Sequence, residues 1–103
     1  MRLRVLAVSF NDLTSLLHGD LPKLSYTQDE DLENQVRRIA YRNAKGMDVI
    51  AEFDRATRTN DSNLDPYESL LITRKLAHCQ TTMEIIVDRL DQLERQKIAY
   101  IHQ

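Results

Sequence analysis

Two long amphipathic segments, residues 28–58 and 66–101, flank the polar run Thr59-Asn60-Asp61-Ser62-Asn63. No other feature restricts the chain's choice of fold as much. In the first segment Leu32, Val36, Ile39, Asn43, Gly46/Met47, Ile50 and Phe53 recur at spacings near four and three. In the second, Ile72, Leu76, Cys79, Met83, Ile86, Leu90 and Leu93 do the same. This is the a/d pattern of a helical seam. Folding the chain at Ser62 sets Met47 near Leu76, Ile39 near Met83, and Leu32 near Leu90 and Leu93. Every apolar seam position then meets an apolar partner. The expected fold is all-α: an antiparallel, coiled-coil-like two-helix hairpin over 27–103, with arms of roughly 45 and 55 Å.

Both helices carry start signals. Thr27 can cap the first, and Glu30, three residues on, can reach back to complete a capping box. Asp65 repeats the device before Pro66, which suits a first helical position because its missing N–H has no partner there anyway. The acidic run Asp29-Glu30-Asp31 matches the positive end of a helix dipole.

Residues 1–26 form an N-terminal extension in this reading. Leu3–Phe10 reads as a short strand or as the opening of a helix. Asn11 can cap a short helix through Leu17, which Gly19 would end, and the stretch 20–26, with Pro22, reads as a linker. A lone strand finds no partner here. The extension is therefore expected to be mobile or weakly packed and separable from the hairpin, with a short third helix as the alternative.

Composition narrows the function classes. Net charge is −2, and basic and acidic residues alternate along both helices. A nucleic-acid binder would instead cluster its basic groups on one face. No apolar run approaches the ~20 residues that span a membrane. The apolar core of residues 1–10 is too short for a signal peptide and lacks a small-residue cleavage site. One cysteine rules out an internal disulfide framework and suits a reducing compartment. The expected location is the cytoplasm.

Catalytic constellations are hard to find. His18, His78 and His102 fall in three different elements. His78 and Cys79 are adjacent, so on a helix they point about 100° apart. Cys79 lies on the seam, where a free thiol acts as a small hydrophobe. Glu30 and Glu33 match half of the paired acidic motif by which all-α nucleotide pyrophosphatases hold magnesium. The second half fails, because Glu52 is followed by Asp54 on a different face. We therefore expect no enzyme, no cofactor and no metal; a metal-dependent pyrophosphatase is the weakest alternative. Asn43 and Gly46 break the seam where Leu or Ile would be more stable. A seam Asn commonly fixes register, and Gly permits close backbone approach; the plainer account is a local packing adjustment opposite Cys79 and Leu76.

Leu32-Glu33-Asn34, then Arg42-Asn43-Ala44-Lys45-Gly46-Met47, a short polar turn, Asp65-Pro66-Tyr67, and the apolar run at Ile85-Ile86 resemble the small co-chaperones of bacterial type III secretion needles. The resemblance spans about 32–93; an extension of this length departs from it. It implies a short antiparallel hairpin that binds a larger tetratricopeptide-type chaperone and, through it, a needle subunit, linking the chain to virulence. Independently of that, Tyr67, Leu71 and Ile85, with His78 between them, project away from the seam on the second helix, and Tyr41 does so on the first. These five are the expected partner-binding residues. Scattered surface apolars, normal on any protein, are the plain alternative. A homodimeric helical adaptor made by pairing two hairpins is the other functional class.

Overall fold

The computed structural model describes residues 2–25, 30–60 and 66–102. Three helices account for most of them: α1 (Arg2–Ser15), α2 (Glu30–Asn60) and α3 (Pro66–Ile101). The all-α expectation holds. The molecule measures 60 × 23 × 17 Å. A helix of 36 residues is about 54 Å long, so α3 runs nearly the full length.

α3 begins at Pro66, as the start signal requires. α2 begins at Glu30 with three acidic residues in its first turn, and it continues through Asn60, past the predicted end at 58. The capping residues Thr27 and Asp65 lie outside the described residues, as do the side chains of Phe53 and of the polar run between the helices.

Residues 2–25 follow the alternative expectation, a third helix, rather than a mobile extension. Arg2–Ser15 is one continuous helix, with neither a strand at Leu3–Phe10 nor a new start at Asn11. Leu6 and Leu13 have no exposed surface, and Leu16, Leu21 and Leu24 are buried too. Leu3, Phe10 and Leu17 pack on the same cluster. The segment is thus packed rather than loose, because its leucines recur at three and four and form an apolar stripe of their own.

Gly19 does not end this helix. The chain passes through it in a π turn, Leu16–Asp20, and then a 3-10 turn, Leu21–Lys23. Leu21 N–H donates to Leu16 O, five residues back. Pro22 supplies the reason: it has no N–H, and its ring would collide with the carbonyl four residues earlier in a regular helix. A wider turn moves that carbonyl aside. The helical path ends at Leu24, whose backbone is extended. From Ser25 to Glu30, at about 3.5 Å per residue, the link is too short to carry the chain back along the bundle. α1 therefore runs opposite to α2.

All three helices share one core. Val36, Ala40, Met47 and Ile50 of α2 meet Ile72, Cys79, Met83, Ile86, Leu90 and Leu93 of α3 together with the α1 leucines. Between α2 and α3 the side chains that meet run in opposite order along the two helices. Lys97 Nζ lies 2.8 Å from Glu33, and Arg37 lies 3.8 Å from Glu94. Ala44 and Met47 share a groove with Gln80 and Met83. Met47 thus faces Met83 rather than Leu76, and α3 is displaced by one to two turns from the predicted pairing. α2 itself reaches Asn60, two residues past the predicted end. Each residue added before the turn shifts the opposing partner by two.

The seam irregularities resolve locally. Asn43 is buried, and its Nδ2 donates to Ile39 O at 2.8 Å, within its own helix. A Cβ added at Gly46 would meet nothing within 4 Å, so no close backbone approach explains this glycine.

Leu13→Ala should lower stability by about 2–5 kcal/mol, and a chain starting at Leu24 should lose most of its cooperative melting; Val8→Ala, at an exposed site, should stay within about 0.5 kcal/mol. Thermal and urea unfolding would show all three. Gly46→Ala should stabilise the protein by about 0.4–1 kcal/mol and raise Tm by several degrees, which calorimetry would record.

Candidate protein-docking surfaces

The acidic residues near the start of α2 are used in packing. Glu33 is buried, and Lys97 Nζ donates to its Oε2 at 2.8 Å; Arg37 Nε approaches the same oxygen at 3.4 Å. Burial pushes the carboxyl up, but the hydrogen bond and charge of Lys97, with Arg37 behind them, hold it below the ordinary carboxylate range. A carboxylate gripped by two cations is a poor magnesium ligand. Among the described residues no group of three or more His, Cys, Asp or Glu side chains is placed to hold a metal ion.

Cys79 is completely buried, with Sγ 3.6 Å from the carbonyl of Leu6. Burial raises its thiol, only partly offset by Lys75. A thiol held protonated and shielded is a weak nucleophile, and its contact is with α1. No helix among the described residues is long and apolar enough to cross a membrane.

The five expected partner-binding residues fall on two surfaces. Tyr67, Leu71, His78 and Ile85 lie within about 40° of one another around α3. Tyr67 and Ile85 are 69% and 49% exposed, while Leu71 is only half exposed or less. His78 is engaged by the chain itself: the Phe10 ring sits 6.2 Å away, tilted by 40°, and Lys75 Nζ lies 5.4 Å from the same ring. Part of that face is therefore flanked by α1.

Tyr41 belongs elsewhere. It is 65% exposed, and Lys45 Nζ stands 5.3 Å over its ring. It forms one wall of a groove between α2 and α3, of about 360 Å³, with Ala40, Ala44, Met83, Val87 and Leu90. Arg37 and Asp91 line it as well. Beyond Ala44 and Met83 the groove continues between Asp48 on α2 and Gln80 and Glu84 on α3. Sequence reasoning missed Ala40, Ala44 and Val87. The pair of alanines one turn apart, beside the seam, was the available signal for a shallow strip on α2.

Family models, curated proteins and solved structures give no match to this chain.

The Glu33–Lys97 contact gives a pH-dependent expectation. A carboxyl held below its unfolded value, about 4.3, contributes stability above that pH and loses it as pH falls through the folded value. Lys97→Met should be less stable by about 1–3 kcal/mol at pH 7. The gap should close below about pH 4; urea titrations across pH would measure it.

Proposed function

We propose that this protein is a non-enzymatic helical interaction module of the co-chaperone kind. It docks on a larger tetratricopeptide-type chaperone in the cytoplasm and steadies it while that chaperone holds a needle subunit. The resemblance over 32–93 suggests the kind of partner. The observation that carries an interaction role is the row Tyr67, Leu71 and Ile85 on α3, where Tyr67 and Ile85 are large, exposed side chains on the face turned away from the buried stripe Ile72, Cys79, Ile86 and Leu93.

The physical logic is that of a rigid anchor row. Tyr67 and Leu71 are four residues apart and share a face with Ile85, so they can enter pockets of a concave helical-repeat surface together. A preformed helix loses little freedom on docking. A larger chaperone that binds only in its folded state is stabilised in proportion to occupancy, which is how a small partner protects a big one. The buried Cys79 and the committed Glu33 fit this reading, since each is used in packing rather than presented to a substrate.

Co-expression with a tetratricopeptide-type needle chaperone tests it. Wild type should co-purify. Tyr67→Glu and Ile85→Glu should each weaken capture by at least about tenfold with helicity unchanged by circular dichroism. No capture by the wild type would overturn the co-chaperone reading. Capture untouched by both substitutions would remove this face of α3 from it.

A further inference from the structure

The groove between α2 and α3 is a second surface, distinct from the row above. Val87 and Ile85 are two residues apart, hence roughly 160° apart around α3. Val87 is 45% exposed and Tyr41 more so, and between them Ala40 and Ala44 leave the floor low on the α2 side. A stable monomer has no need for two large apolar side chains facing each other across an unfilled strip.

The charges on the walls differ by helix. The α2 wall carries Arg37 and, over Tyr41, Lys45; the α3 wall carries Asp91 and Glu84. Asp48, near one end of the α2 wall, lines the groove with both Gln80 and Glu84 of α3. Residues across the groove also stand at the same level: Tyr41 shares it with Val87 and Asp91, and Ala44, next to Lys45, shares it with Met83, next to Glu84. A basic, aromatic wall facing an acidic, apolar wall at matched heights is self-complementary under one operation, a two-fold axis lying along the groove. That rotation lays α2 of one copy on α3 of the other and keeps each level in place.

We infer that the groove binds a second copy of this chain. In the dimer Tyr41 covers Val87 of the other copy and Lys45 meets its Glu84, while Arg37 stays with Glu33 and Glu94 of its own chain. Both halves of every contact occur twice, as an isologous interface demands. The four long helices then form an antiparallel four-helix bundle, with each α1 on the outside. The Tyr67–Ile85 row stays in water, so the dimer can still dock a different protein.

Sedimentation equilibrium of the full chain at about 0.1 mM tests this. The expected mass is twice the 12.0 kDa of the chain. Val87→Glu should weaken association by at least about tenfold without loss of helicity. Lys45→Glu and Glu84→Lys should each weaken it as well. The double variant should regain it, because swapping both charges restores an opposite-sign pair across the axis. A monomeric wild type, a dimer indifferent to Val87→Glu, or a double variant no better than the singles would each overturn the inference. A monomer that captures the repeat-type chaperone and loses it on Val87→Glu would assign the groove to that chaperone and likewise overturn self-association. Capture that depends on Tyr67 and Ile85 alone leaves the proposed function standing whatever the dimer result.

Discussion

A helix of 36 residues with an apolar stripe along most of its length cannot be covered by one neighbour, and the whole architecture answers that constraint. Ile72, Cys79, Ile86 and Leu93 are completely buried because α2 and α1 approach α3 from two sides. α2 brings Val36, Met47 and Ile50, and α1 brings Leu6 and Leu13. Fully burying one such side chain contributes roughly 1.5–3 kcal/mol. Without α1 several of these groups would face water, and a chain of this size has little stability to spare.

The polar groups inside the bundle are handled one at a time. Asn43 meets its need within α2, through the carbonyl of Ile39. Glu33 is met from α3, through Lys97. The difference matters for register. A self-satisfied amide slides with its helix and specifies no partner, whereas a buried carboxylate matched to one ammonium at 2.8 Å favours a single alignment. Leu side chains along a seam pack acceptably at several offsets, and the ion pair selects among them. Sequence reasoning offered Asn43 a register role beside a plainer local packing adjustment, and its bond to Ile39 within α2 fits the plainer account.

That the chain holds two long helices was legible in the sequence, because both segments carry an apolar stripe at three-and-four spacing. The register was not, since helix length before the turn decides it and polar residues such as Thr59 and Asn60 continue a helix as readily as they end one. α1 was legible only as one of two alternatives, strand or helix. Leu3, Leu6, Phe10, Leu13 and Leu17 keep a regular three-and-four spacing, but Val5 and Val8 fill the gaps and make the run look continuously apolar, as a strand does. Both valines turn out to be exposed. Of the five expected docking residues, Tyr41 is exposed, as its place off the seam suggested. Its placement across the groove from Val87 depends on the offset between α2 and α3, which periodicity alone does not contain.

The π turn at Leu16–Asp20 does more than accommodate Pro22. Leu16 and Leu21 are both buried, yet five residues in a regular α-helix separate side chains by roughly 140°. The wider turn brings them back to one side, so the leucine stripe survives a spacing that should have broken it. In effect the segment absorbs a residue's worth of phase error between α1 and the link to α2. It is the one place along the first helix where chain length and facing direction are uncoupled, and the sequence upstream can stay locked on Cys79 while the sequence downstream finds its own way to the start of α2.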